Sequence, residues 1–300
     1  MALKTPYALV DGIKMLAAYD STTQMWTVEG NAPAKSSWGE PNHVFPVTLY
    51  AEDEAGNVTT MTADDEDYGD QLKLRVLEKT KPTATITSPT TGSVLGASSQ
   101  DIVMELLDSG GSGLNMSSVV FKVNGTTITG LTWTDGSGGK KVCTYNATGL
   151  PDGSNTIELQ VSDNDGNVSE KSTVTFIIST AAPTLNLTSP ANNLLTNSNK
   201  VTVAGTAAAG SDAVTLAEVT INGTAVTVGS GGAFSKEITL STEGENVITV
   251  TAKDNLGKTT TVTRTVTLDT KAPVISDVVA EKTTVDAGTR IKITFKVVAP

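Results

Sequence analysis

The sequence lacks most of the side chains that enzyme active sites and metal centres use. Its 300 residues contain one histidine, His43, and one cysteine, Cys143. A Ser/His/Asp triad would have to use His43, a Cys/His zinc site has too few ligands, and a disulfide within the chain is excluded. We therefore predict a protein that is not an enzyme and has no catalytic residues, no metal site and no cofactor.

Two classes of partner are also disfavoured. Lysine and arginine total 21 against 32 acidic residues, a net charge of -11, whereas nucleic acid binding needs clustered positive charge. No stretch approaches the roughly 20 apolar residues that cross a bilayer. The first apolar run, residues 8–10, stops at Asp11, too short for a signal-peptide core. We expect no nucleic acid, no membrane and no signal peptide; the alternative is a signal peptide removed by cloning.

The chain is rich in threonine, valine, serine, asparagine and glycine, a composition that favours strands and turns. Three segments superimpose position for position: residues 47–56, 157–166 and 248–257. Each alternates apolar and polar residues and ends in Asp-x-x-Gly, which predicts a strand that runs into a tight turn. A second strand and a linker proline follow each turn: residues 72–76 and Pro82, residues 174–178 and Pro183, and residues 262–268 and Pro273.

The linker prolines are spaced by about 100 and 90 residues, the size of an immunoglobulin-like sandwich. Asn124-Gly125 and Asn222-Gly223 add two hairpin turns. The sequence therefore predicts an all-β chain of tandem immunoglobulin-like β-sandwiches joined by short Pro linkers. The predicted division is an incomplete Ig-like domain (1–80), two complete ones (81–180 and 181–271) and a two-strand C-terminal segment (272–300).

The two outer parts suggest a hypothesis about assembly. Fewer residues precede the turn aspartate of the first part than precede it in the complete domains, and the last part supplies two strands. We hypothesise that the tail of one protomer completes the first sandwich of the next by donor-strand complementation, head to tail. The alternative is that residues 1–45 complete the first domain irregularly and residues 273–300 form a loosely docked hairpin. The interaction residues of this hypothesis alternate along a strand from Arg290 to Val298: Ile291, Ile293, Phe295 and Val297.

The remaining candidate sites favour simple interpretations. Asp163-Asn-Asp-Gly-Asn167 has alternating oxygen donors, but its spacing departs from a calcium-binding EF-hand loop, so we predict a turn. We predict loop packing for His43 and burial for Cys143. The tryptophans could stack on sugar rings, but we expect core positions for all three: Trp26, Trp38 and Trp133.

A family resemblance supplements this interpretation. Residues 51–57, 161–167 and 243–254 resemble bacterial Ig-like domains. The order of Ala32-Pro-Ala-Lys-Ser-Ser-Trp38, His43 and the tandem units is similar to Ig-like proteins encoded among tail genes of phages and prophages of Gram-positive gut bacteria.

That resemblance implies a structural component of a phage tail or baseplate. Its partners would be other virion proteins and a second copy of the chain, and contact with a host cell surface stays open. It would be made in the bacterial host cytoplasm and located in the virion. The alternative is a secreted or surface adhesin that binds host glycan or cell wall. An accessory module of a lysin or glycosidase ranks last.

Overall fold

The computed structural model describes residues 2–299. The described chain contains strands and four short 3-10 turns, which confirms the prediction of an all-β protein. It divides into two compact units, residues 1–93 with 97–178 and residues 179–300 with 94–96. The predicted division into four parts stays a prediction. None of the helical segments described could span a membrane.

The first unit begins with a single sheet, the N-terminal sheet, in the order β3-β2-β1-β4-β5, with β6 also pairing with β4. The predicted strand at residues 72–76 is largely wrong, because a 3-10 turn (Gly69–Leu72) leaves only two paired residues. The strands are β1 (Tyr7–Val10), β2 (Ile13–Asp20), β3 (Met25–Val28), β4 (Phe45–Glu52), β5 (Val58–Met61) and β6 (Lys73–Leu74).

The rest of the first unit is a two-sheet sandwich, the first sandwich. One sheet has the order β11-β10-β14-β15 and the other β12-β13-β9-β7. The strands are β7 (Thr83–Ser88), β8 (Val94–Leu95, counted with the second unit), β9 (Gln100–Leu107), β10 (Leu114–Val123), β11 (Thr126–Thr127), β12 (Thr134–Asp135), β13 (Lys141–Ala147), β14 (Gly153–Asp163) and β15 (Ser172–Ile178). Alternating inward residues of both sheets form a core in which Met104, Phe121 and Phe176 are fully buried.

The second unit contains a similar sandwich, the second sandwich. Its sheets have the orders β16-β18-β21 and β17-β23-β22-β19-β20. The strands are β16 (Thr184–Ser189), β17 (Leu194–Thr196), β18 (Lys200–Ala208), β19 (Leu216–Ile221), β20 (Thr224–Ala225), β21 (Ala233–Thr239), β22 (Gly244–Asp254) and β23 (Thr259–Leu268). Val203, Val250 and Val266 are fully buried between the two sheets.

The two predicted Asn-Gly hairpin turns form with the positive φ angles that such turns require. Asn124 and Gly125 both have positive φ, 50° and 78°, as a two-residue hairpin turn between right-twisted strands requires. Asn222 and Gly223 repeat this geometry with φ of 47° and 78°. The two hairpin predictions are confirmed.

Candidate interaction surfaces

The C-terminal segment forms a two-stranded antiparallel sheet, the tail hairpin, from β24 (Val274–Ala280) and β25 (Ile293–Val298). The strand β25 starts three residues later than predicted, so Ile291 precedes it. The register places Ile275, opposite Val297, on the same side as Phe295, and this side is apolar. A sheet of two strands is marginal on its own in water.

The tail hairpin exposes its apolar side chains. Exposure is 57% for Ile291, 51% for Ile293, 55% for Phe295 and 57% for Val297. The structure thus brings three of the four predicted interaction residues together on one strand and places the fourth just before it. Contiguous exposed apolar surface of this kind is typical of interaction sites.

The N-terminal sheet has one strongly apolar face. The register aligns Ala8 with Met15 and Leu49 across three strands, and Ala17 with Val28 across β2 and β3. One end of this face is covered by the segment between β3 and β4. Gly30 of this segment lies directly against the Met15 side chain, and Lys35 lies over the ring of Phe45, the first residue of β4, which is 1% exposed.

The other end of the apolar face is uncovered and forms a groove of about 290 Å³, the open groove. Its walls include Ala17, Trp26, Val28, Leu49, Thr59 and Met61. Trp26 is 39% exposed and packs against Tyr19 with ring centroids 4.9 Å apart. Sequence reasoning missed this surface, because the alternation of β1 to β5 does not show which part of the face is covered.

The expectation that the tryptophans fill cores is wrong. Trp26 is exposed, and Trp38 and Trp133 are only half-buried. Trp38 instead stacks on His43, with ring centroids 4.0 Å apart, and its carbonyl is hydrogen-bonded to His43 Nδ1. This contact confirms the loop-packing role predicted for His43. Cys143 is 3% exposed, as predicted, and burial raises the pKa of its thiol.

The three repeated turns are locked by their aspartates. Asp163 Oδ1 accepts the Asn167 N–H at 2.8 Å and Asp163 Oδ2 accepts Asn167 Nδ2 at 2.8 Å. Asp53 makes the same two bonds with Asn57. The third repeat has Lys258 where the others have asparagine, and the buried Asp254 Oδ2 has no hydrogen-bond partner among the described residues. Gly166 completes the turn with φ of 94°, a conformation that favours glycine.

The turn at Asp163 also joins the N-terminal sheet region to the first sandwich. Asp165 Oδ2 accepts hydrogen bonds from Ser36 Oγ at 2.7 Å and from the Glu78 N–H at 3.0 Å. Asn167 Nδ2 donates to the Glu78 carbonyl at 3.0 Å. Two residues of a repeated turn therefore hold a loop and a linker that lie far away in sequence.

Three carboxyl groups meet at this junction. One oxygen each from Glu78, Asp108 and Asp163 lies within 4.8 Å of the others. Burial raises the pKa of Glu78, and the neighbouring carboxyl groups of Asp163 and Asp108 raise it further. Such oxygens are the donors that calcium prefers, but acidic groups alone do not define a metal site.

Two family comparisons match the two sandwiches. Residues 82–159 match the family described as bacterial Ig domain, and residues 183–270 match glucodextranase, domain B. The two sandwiches form a tandem of Ig-like domains. This confirms the predicted fold class, immunoglobulin-like β-sandwiches joined by short Pro linkers. No curated protein matches the chain.

The solved structures that match the chain are only distantly similar to it. The fibronectin(III)-like modules of Clostridium thermocellum CbhA are 21% identical over 62% of this chain and 94% of theirs, with a TM-score of 0.34. The ICAM-5 D1–D4 ectodomain is 17% identical over 88% and 66%, with a TM-score of 0.43. A bacterial ice-binding adhesin is 21% identical over 89% and 87%, with a TM-score of 0.35. These values are too low to transfer a function.

Proposed function

We propose that this protein is a structural component of a phage tail or baseplate and acts through protein–protein contacts. The observation that carries the interaction role is the tail hairpin, whose apolar side chains are more than half exposed on β25. An apolar strand pair in water is a surface that requires a partner. The Ig-like sandwiches support it as rigid spacers, since sandwiches of this type serve many binding roles.

The assignment to a virion is supported by the resemblance of the N-terminal third, which includes Ala32-Pro-Ala-Lys-Ser-Ser-Trp38 and His43. In this chain the segment is held in place by hydrogen bonds within the first unit, where Ser36 and Ser37 are buried. The expected location is the assembled particle, and the expected partners are other virion proteins.

Mass spectrometry of purified phage particles tests the assignment. Particles from a lysate of the bacterial strain that carries the gene should contain peptides of this chain in a fixed ratio to the major tail proteins. Immunogold labelling with an antibody against the second sandwich should then decorate the tail or baseplate. Recovery of the chain only from the cell envelope or medium, with none in the particles, would contradict the proposal.

A surface adhesin that binds glycan is the second candidate, and the open groove favours it. Trp26 and Tyr19 form an exposed aromatic pair beside this groove, and aromatic rings of this type can stack on sugars. A glycan array with Trp26→Ala compared with Trp133→Ala tests this candidate. Binding that is lost only with Trp26→Ala would support the adhesin, and an empty array would remove it.

A further inference from the structure

The N-terminal sheet and the tail hairpin are both single layers that expose part of an apolar side. Each sandwich in the chain buries its sheets face to face, whereas the N-terminal sheet leaves part of its apolar face as the open groove. The tail hairpin is also a single layer, with Phe295 and Val297 exposed on its apolar side. We infer that the tail hairpin of one copy packs across the open groove of a second copy as the missing layer. This inference rests on the proposed interaction role but not on a virion location.

The hairpin suits the groove in its chemistry. Both surfaces are lined by aliphatic and aromatic side chains, with Phe295 on one and Trp26 and Met61 on the other. Stacked sheets bury such faces about 10 Å apart with interdigitating side chains. Packing of the two surfaces would remove both from water, and the loss of exposed apolar area is the main favourable contribution to association.

The charges around the two surfaces are also complementary. Carboxylates lie at the strand ends beside the open groove: Asp20 ends β2, Glu52 ends β4 and is paired with Lys4, and Asp53 and Glu54 follow β4. The connection of the tail hairpin carries Lys282, Arg290 and Lys292 against Glu281 and Asp286, so it is slightly basic, and its basic side chains form no ion pair among the described residues. Opposite charges at the rim increase the association rate and fix orientation more than they add affinity.

Docking between different surfaces of two copies is heterologous. Each copy then keeps one free groove and one free hairpin, so the assembly grows into rings or open chains unless it is capped. A contact between two hairpins would instead stop at a dimer. The size distribution of the protein in solution therefore distinguishes the two modes.

Sedimentation velocity of the full chain is the primary test. Species larger than a dimer should appear as the concentration rises to about 100 μM, where a contact with Kd near 1 μM is almost saturated. Phe295→Asp in the hairpin and Trp26→Asp in the groove should each give monomers. Matched controls on the opposite sides of the same strands, Thr294→Asp and Thr27→Asp, should assemble like the unchanged protein.

Mixing the two disrupted variants gives the decisive result. Phe295→Asp retains an intact groove and Trp26→Asp retains an intact hairpin, so an equimolar mixture should form a one-to-one dimer and nothing larger. Hydrogen exchange in β1 and β4 checks that the groove variant is folded. If Trp26→Asp unfolds the sheet, Thr59→Glu, at an exposed groove position, replaces it.

Three results would overturn the inference. A protein that stays monomeric at every concentration removes the contact between copies, whether or not the chain is found in virions. Assembly that Phe295→Asp abolishes but both groove variants retain indicates contact between hairpins. Assembly without rescue in the mixture shows that hairpin and groove do not bind each other. Conversely, rescue in the mixture would stand even if the chain were absent from phage particles.

Discussion

The side chain of Asn167 gives the sharpest prediction about stability. Its Nδ2 donates to Asp163 Oδ2 at 2.8 Å, and Asp163 is only 1% exposed. Replacement of Asn167 by alanine leaves that buried carboxylate oxygen without its donor, while the bond from the backbone N–H to Oδ1 is retained. A buried acceptor that is left without its donor lowers the free energy of unfolding by about 1–3 kcal/mol, because water cannot replace the donor.

The expected destabilisation of about 2 kcal/mol corresponds to an increase of about 30-fold in local opening. Hydrogen exchange of amides in β14, which ends at Asp163, measures it directly. The loss should be confined to the first unit, and exchange in β22 of the second unit should not change. Asn167 also donates to the Glu78 carbonyl, so protection of the linker amides should fall as well.

Asn57→Ala is the matched control. The same side-chain bond joins Asn57 to Asp53 at 2.7 Å, but that pair is accessible to solvent, so water can replace the lost donor. Exchange in β4 should therefore stay close to that of the unchanged protein. Equal losses in the two variants would refute the reasoning, because the turn at Asn167 differs in its burial and in the added bond to the Glu78 carbonyl. No loss in Asn167→Ala would refute it as well.

Two further predictions concern the repeated turns and their neighbours. Lys258→Asn should slow the hydrogen exchange of amides in β22, because the asparagine side chain offers a donor to the unpartnered Asp254 Oδ2. Unchanged or faster exchange would contradict this and would mean that losing the bond from Lys258 Nζ to the Ser179 carbonyl costs more stability than the new bond adds. Burial and two neighbouring carboxyls raise the pKa of Glu78 in the folded protein, so the stability that its protonated form contributes is present at low pH. That contribution is lost as the pH rises from the ordinary glutamate range through the raised value. Glu78→Gln should thus be more stable than the unchanged protein at neutral pH. Its free energy of unfolding, measured by urea titrations at several pH values from 4 to 7, should fall less steeply with rising pH. Parallel pH profiles of the two proteins would contradict this.

Local sequence signals predict much of this fold. The strands before the repeated turns follow from strict alternation, which the structure converts into alternating burial along β14 and β22. The Asn-Gly turns follow from a backbone that needs positive φ at two consecutive residues. These features depend on a few neighbouring residues, so one sequence is sufficient to predict them.

Features that depend on distant residues are not predicted. The bond from Ser36 to Asp165 joins positions 129 residues apart, and neither serine nor aspartate signals it in advance. The tryptophans illustrate the same limit. A large aromatic side chain favours burial, yet the exposed Trp26 lies on an edge strand, at a part of the apolar face that the described residues of the first unit leave as an open groove.

The hypothesis of an incomplete first domain rests on counting residues. The structure shows that the N-terminal part is incomplete in the cover of one sheet face and not in its number of strands. Residues 7–28 supply three strands, so the N-terminal sheet is not short of strands within its own layer. It instead leaves an apolar face partly open, with the segment before Phe45 covering one end. A partner that adds to the edge of the sheet would leave the open groove exposed, whereas one that packs across the face would bury it. The tail hairpin, with its apolar side around Phe295, is suited to face packing. Charged variants on the sides of the edge strands that face away from the groove, Thr27→Asp on β3 and Thr60→Asp on β5, should therefore disturb assembly less than variants that face into the groove.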